Sequence, residues 1–264
     1  MSAATHKSEM RASGMRYQWH LFLLALAFLT RIPIPASVPF SEPRLNQANR
    51  YFALVGTLIG AISASIFLIS HTLFSIEVAV VMAMIASLMT TGVFHEDGLA
   101  DSADGLGGGL TIERKLAIMK DSRIGSYGSA ALMMALLMKF AVLSSIPQVV
   151  VALIVGHTLS RAVAASLIGA MPYVSESDGS KSKPLANTQS QTDVWFLVVT
   201  CAAILLWLPI VHALALVAMC MCVRQMAKIY LSRQIGGYTG DTLGACQQVA
   251  ELACYLCFAL PWFL

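Results

Sequence analysis

The residues best placed to do chemistry are three aspartates. Asp97, Asp101 and Asp104 stand at i, i+4, i+7 in the run His95-Glu-Asp-Gly-Leu-Ala-Asp-Ser-Ala-Asp-Gly105. At 3.6 residues per turn this spacing puts all three carboxylates on one stripe of a helix, with Glu96 roughly a quarter-turn away. The glycines of Gly105-Leu-Gly-Gly-Gly109 predict the end of that helix through left-handed C-terminal capping. Carboxylates held this close repel one another, and no base is interleaved to neutralise them. A divalent cation is the simplest remedy, and an all-oxygen set suits Mg²⁺ or Mn²⁺. Mg²⁺ keeps several waters and shares its shell with substrate phosphates, so the cluster points to phosphoryl chemistry. Asp97, Asp101 and Asp104 are the candidate metal ligands. Glu96, Asp97 and Asp104 are the candidate catalytic carboxylates, with Glu96 or Asp104 as proton acceptor. The bland alternative, a solvated acidic face, fits poorly in a chain with so little charge.

Phosphate-binding groups follow. Lys120-Asp-Ser-Arg-Ile-Gly-Ser-Tyr-Gly128 offers two cations, an acid and hydroxyls. Arg123 has the planar fork to clamp a phosphate, and Gly125 and Gly128 let backbone approach a ligand. Gly236-Gly-Tyr-Thr-Gly-Asp-Thr-Leu-Gly244 is a second glycine-rich turn with a carboxylate. The candidate substrate-binding residues are Lys120, Asp121, Arg123, Gly125, Arg161 and Asp241. Three of these have a structural alternative. Arg123 could mark a membrane border, Arg161 could snorkel to the interface, and Asp241 could be a helix N-cap. His95, beside the acids, could be a ligand, a base or a packing residue, with packing favoured, and His157 and His212 read as structural. Glu251, one acid inside an apolar span, is expected to be functional or paired.

The elements that must carry these groups are membrane helices. The chain has 264 residues, is 57% hydrophobic and only 12% charged, with mean hydropathy +0.72. Soluble domains carry about twice that charge. A net charge of +3 with no basic face bearing interleaved aromatics argues against nucleic acid as a partner. The six cysteines all fall in the apolar C-terminal third. Cys254-x-x-Cys257 lacks zinc-site context, so packing is the expected role.

Charges are clumped, and the gaps between clumps predict spans. Tyr51–Phe94 is long enough for two, turning near Ser75. Ile124–Ser160 opens two more, breaking at Ile146-Pro147-Gln148, the second ending near Met171-Pro172. Val194–Val223 is interrupted at Pro209 and His212, and a last span runs from about Leu243 to Leu264. The expected fold is an all-α polytopic transmembrane helix bundle, a single domain over 1–264, with about seven spans. Within the N-terminal apolar segment, 18–35, Trp19–Leu29 is too short to cross a bilayer and reads as a re-entrant or interfacial helix. Lys7, Arg11 and Arg16 precede it, and Arg31-Ile-Pro-Ile-Pro follows where a signal peptide would carry a cleavage site. The polar stretch 173–193 is the one clear loop. Basic clusters at Arg31/Arg44/Arg50, Arg114/Lys115/Lys120/Arg123, Lys181/Lys183 and Arg224/Lys228/Arg233 are separated by even numbers of spans. The positive-inside rule then puts them all on the cytoplasmic face, and with them the catalytic segment 95–128.

The run His95–Gly109 resembles the signature of the cobalamin synthases, or adenosylcobinamide-GDP ribazoletransferases. Met119–Gly128 resembles that family's second block, and Phe28–Pro33 and Gly237–Ala245 resemble two more, so the likeness spans nearly the whole chain. The resemblance implies Mg²⁺ as cofactor and the bacterial cytoplasmic (inner) membrane as location. It implies the last step of nucleotide-loop assembly: adenosylcobinamide-GDP and α-ribazole, or its 5′-phosphate, give adenosylcobalamin, or its 5′-phosphate, and GMP. The partners it implies are these substrates, the lipid bilayer and other enzymes of the corrinoid pathway.

Two rivals remain. A CDP-alcohol phosphotransferase also places Asp-x-x-Asp-Gly repeats on a membrane helix, and Asp101-Ser-Ala-Asp104-Gly105 echoes its opening. Its downstream elements are missing, because Leu106-Gly107 follows. A carboxylate-lined transporter would also carry intramembrane acids, but on broken, repeated helices near the midplane.

Overall fold

The computed structural model describes residues 14–174, 188–261 and 263. Lys7, Arg11, Lys181, Lys183 and most of the expected 173–193 loop lie outside the described residues. Eleven α-helices are described. They are α1 (Met15–Leu29), α2 (Glu42–Ala48), α3 (Phe52–His71), α4 (Ile76–Thr91), α5 (Phe94–Gly108), α6 (Ile112–Met119), α7 (Ser126–Ser145), α8 (Val149–Ile168), α9 (Gln191–Leu205), α10 (Ile210–Ile235) and α11 (Gly240–Phe258). A 3₁₀ turn, Asn49–Tyr51, joins α2 to α3.

The expected breaks near Ser75, at Ile146-Pro147-Gln148 and at Pro209 all separate helices. The expected count of about seven spans is matched in part. Among the described residues, four helical stretches are long and apolar enough to cross a membrane: Glu42–His71, Ser126–Ser145, Val149–Ile168 and Ile210–Ile235. A fifth is reached only by counting α4 and α5 as one span bent by 86°. Caps and turns use up part of each charge gap. α4 has 16 residues and α9 has 15, about 24 and 22 Å of helix against a hydrocarbon core of about 30 Å. α1, at 15 residues, is similarly short.

α8 is the most deeply buried of these stretches. Gly56 and Gly60, four apart on α3, let that helix settle onto it. A Cβ at Gly60 would lie 2.7 Å from the Ile154 Cα, and one at Gly56 would strike the His157 carbonyl. This is the small-xxx-small packing of membrane helices, which gains dispersion contact where lipid removes the hydrophobic drive. All six cysteines are free; Cys220 and Cys254 approach to 3.7 Å between sulfurs in the core.

The corner between α4 and α5 aims the acidic helix. Gly92 and Val93 are both left-handed, at φ 65° and 64°. For a β-branched residue that conformation costs about 1–2 kcal/mol. The end of α1 braces the corner: Arg31 N donates to the Thr90 carbonyl at 2.8 Å, and the Phe28 and Phe94 rings meet edge to face at 5.2 Å. The left-handed cap expected among the glycines at the far end of α5 is absent. The helix runs through Gly105 and Gly107 to Gly108, and Gly109 leaves it at φ −91°.

Candidate active site

α5 carries Asp97, Asp101 and Asp104 within one continuous helix, as their spacing predicts. Asp97 is exposed, Asp101 half-buried and Asp104 buried. The stripe packs between α11 and the loop that opens α7. At the α11 crossing, Gly98 of α5 meets the first turn of α11. A Cβ there would lie 2.7 Å from the Asp241 carbonyl oxygen, and one at Gly244 would lie 3.3 Å from the Gly98 Cα. This close approach brings Asp241 to the stripe. Asp241 is not the N-cap: Thr239 caps α11 in a reciprocal box with Thr242, which leaves the Asp241 carboxylate in the first turn beside the other acids.

Electrostatics show that these four carboxylates share one field. Burial, then Asp97, Asp241 and Asp104 in turn, push the Asp101 carboxyl up to about 6. Burial also raises Asp241, with Asp97 adding to it, while the Lys120 ammonium pulls the other way. Lys120, at the end of α6, is thus close enough to act on Asp241. No ion pair among the described residues engages Asp97, Asp101 or Asp241.

Asp104 has a different environment. Gly125 N donates to its Oδ2 at 2.6 Å and Gly128 N to its Oδ1 at 2.9 Å. Both amides belong to the start of α7, whose first N–H groups lack intrahelical acceptors. Asp104 therefore acts as a cap supplied from another helix, with its charge favourably placed at a helix N-terminus. The glycines expected to admit a ligand admit this carboxylate instead; a Cβ at either position would collide with it.

Asp121 and Arg123 sit in the loop before α7 and pair with each other. Arg123 Nη2 lies 2.7 Å from Asp121 Oδ2, and Arg123 N donates to Asp121 Oδ1 at 3.1 Å. The Arg123 guanidinium holds the Asp121 carboxyl down to about 2. The Arg123 side chain is 86% exposed, so a phosphate would have to draw it away from Asp121.

Two candidates face elsewhere. Glu96, 4% exposed, turns away from the stripe, and its Oε1 accepts from Gln248 Nε2 at 3.0 Å. Arg161 neither snorkels nor reaches the stripe. It is 2% exposed, donates to the His157 carbonyl at 3.0 Å and lies 3.8 Å from Glu251. Glu251 is paired, as a lone intramembrane acid should be: Lys139 Nζ is at 2.8 Å and His157 Nδ1 at 3.1 Å. Arg50, counted above as a marker of the cytoplasmic face, is buried in an ion pair with Asp193 at 2.6 Å. Sequence reasoning missed this pair and the roles of Gln247, Gln248 and Lys139. The intramembrane position of Lys139 was the available signal.

The donor set fits a hard divalent cation. Asp97, Asp101 and Asp241 are oxygen donors whose mutual repulsion is relieved by positive charge. Among the described residues no three such side chains converge into a ready-made cage. Mg²⁺ seldom needs one, since one or two carboxylates plus substrate phosphate and water commonly hold it.

Residues 21–259 match the family model described as cobalamin-5-phosphate synthase. Proteins named adenosylcobinamide-GDP ribazoletransferase are similar over nearly their full length. That of Vibrio parahaemolyticus is 50% identical over 249 residues, 93% of this chain and 94% of its own. Those of Shewanella amazonensis and Shewanella piezotolerans are 52% and 53% identical, covering 95% and 91% of this chain and 98% and 95% of their own. No solved structure matches. With a family model covering almost the entire chain and relatives at half identity end to end, the chain belongs to the cobalamin-5-phosphate synthase family.

Proposed function

We propose that this protein catalyses the last step of cobalamin nucleotide-loop assembly. α-Ribazole, or its 5′-phosphate, attacks adenosylcobinamide-GDP to give adenosylcobalamin, or its 5′-phosphate, and GMP. The observation that carries the reading is the meeting of Asp97, Asp101 and Asp241 with Lys120 at the α5–α11 crossing. It occurs in a chain half identical to proteins named for this transfer.

In the proposed reaction a ribose hydroxyl of the acceptor attacks the phosphorus nearer the corrinoid. The bond from that phosphorus to the bridging oxygen breaks, and GMP leaves with that oxygen. Asp97, Asp101 and Asp241 would hold Mg²⁺, which would supply positive charge to the pyrophosphate. Asp97, the exposed member of the stripe, takes the hydroxyl proton on a carboxylate oxygen. Asp104 sets the distance between the stripe and the loop that carries Lys120 and Arg123. Lys120, and Arg123 once released from Asp121, hold phosphate oxygens. The site faces the cytoplasm of a bacterial inner membrane, a reading supported by the basic residues Arg114, Lys115, Lys120 and Arg123 that follow the acidic helix in sequence.

The test is synthesis of cobalamin from the two purified substrates by protein in detergent or liposomes, with Mg²⁺ and with EDTA. Product with Mg²⁺ and none with EDTA is expected. Absence of product under both conditions, or turnover of CDP-diacylglycerol in place of the GDP-activated corrinoid, rejects the reading.

A further inference from the structure

Below the acidic face the bundle encloses a polar ring. Glu96 Oε1 accepts from Gln248 Nε2 at 3.0 Å, and Gln248 Nε2 also donates to Gln247 Oε1 at 2.8 Å. Gln247 Nε2 donates to Glu251 Oε2 at 2.6 Å. Lys139 Nζ contacts Glu251 Oε1 at 2.8 Å and closes the circuit 3.6 Å from Glu96 Oε1. All five side chains are at most 5% exposed. They come from α5, α7 and α11, the helices that carry the aspartate stripe, the amides that hold Asp104, and Asp241.

α5 needs such an anchor. Glycines occupy positions 98, 105, 107 and 108 of its 15 residues, each costing helix stability, and its apolar side chains are few. Nothing in a glycine-rich helix of this kind fixes its rotation from within. Neighbouring residues on a helix point about 100° apart. A helix held with Glu96 inward therefore presents Asp97 outward, and a turn of one residue would bury Asp97 and expose Glu96.

We propose that Glu96 is a positioning residue. Its bond to Gln248 fixes the rotation of α5 against α11, and so the presentation of Asp97 and Asp101 to Asp241. Two further atoms support this. Glu96 Oε2 and Gln248 Oε1 are both buried acceptors without a hydrogen-bond partner among the described residues. Gln at position 96 can still accept from Gln248 and adds a donor in place of an unpartnered oxygen, so this substitution separates shape from charge.

The activity arm rests on the transferase reading above. Glu96→Gln is expected to keep turnover within about threefold of wild type. Glu96→Ala and Gln248→Ala should each lose about tenfold or more, with the double variant little worse than either, as residues acting through one contact do. A second arm needs no turnover. Spin labels on Gly108→Cys and Val249→Cys, in a Cys222→Ser background, report the α5–α11 distance. One narrow distribution is expected in the labelled parent and with Glu96→Gln, and a shifted or broadened one with Glu96→Ala or Gln248→Ala. An inert Glu96→Gln beside a near-normal Gln248→Ala would make Glu96 the proton acceptor and overturn the proposal. So would a distance distribution unchanged by Glu96→Ala. If the wild type makes no cobalamin, the transferase reading fails and the distances alone decide this one.

Discussion

Gly98 and Gly244 meet where α5 crosses α11, and the contact is unequal. A Cβ on Gly98 would press to 2.7 Å on the Asp241 carbonyl oxygen, which is rigid backbone, whereas one on Gly244 would find its nearest neighbour at 3.3 Å. Gly98→Ala should therefore displace α11 at a cost of about 1–3 kcal/mol and cut turnover sharply by moving Asp241. Gly244→Ala should be markedly milder. Thermal unfolding in detergent beside the cobalamin assay checks both; equal effects would contradict the geometry.

Asp104→Asn tests the borrowed cap. Asn retains one carbonyl oxygen for two amides and turns an NH₂ toward the other. One buried N–H loses its acceptor, which costs about 1–3 kcal/mol. The expected result is a lower melting temperature and a loop before α7 that proteases cut faster. Unchanged stability and proteolysis would show that the two amides do not depend on Asp104.

The expected pH dependence has opposite signs with and without cation. The Asp101 carboxyl, raised to about 6, is largely neutral at pH 5 and charged at pH 7.5. Cation binding requires the charged form, so Mg²⁺ or Mn²⁺ affinity should fall as pH drops through about 6. In cation-free protein a raised carboxyl pKa favours the folded state when protonated. Thermal stability should then rise as pH falls from about 7 toward 5. Manganese binding by electron paramagnetic resonance and melting in EDTA measure the two; parallel trends would argue against the repulsion.

Lys139→Met leaves Glu96 and Glu251 buried without the ammonium between them. Removing one partner of a buried pair costs about 3–5 kcal/mol. Lys139→Met with Glu251→Gln removes the uncompensated charge and should recover much of that loss. Chemical or thermal unfolding of the single and double variants provides the comparison; a double variant less stable than Lys139→Met would refute it.

Local features were legible in the sequence, and lateral ones were not. Proline and polar breaks located the ends of α3, α7 and α9, and the i, i+4, i+7 spacing placed three aspartates on one stripe. Helical periodicity gives the angle between Glu96 and Asp97, but not which of them faces the bundle. That depends on Gln248, 152 residues away. Asp241 was a candidate from its glycine-rich turn, but its meeting with the stripe depends on the Gly98–Gly244 crossing, which no local pattern announces. A charge gap measures the distance between charges, whereas a span needs unbroken apolar helix, so the gaps alone do not give the number of spans.

The buried ring also shapes what happens at the face above it. Glu96 and Glu251 are balanced by Lys139 and Arg161, so this layer cancels its own charge and contributes little net field outward. Asp97, Asp101 and Asp241 form no ion pair among the described residues, so on the proposed reading the entrance at rest disfavours an anion. A pyrophosphate arriving alone would be turned away. The implied order of assembly is that cation accompanies or precedes the activated corrinoid. Initial rates should then follow the concentration of the Mg²⁺–pyrophosphate complex, with free nucleotide-activated substrate inhibiting little; strong inhibition by the free form would exclude this order.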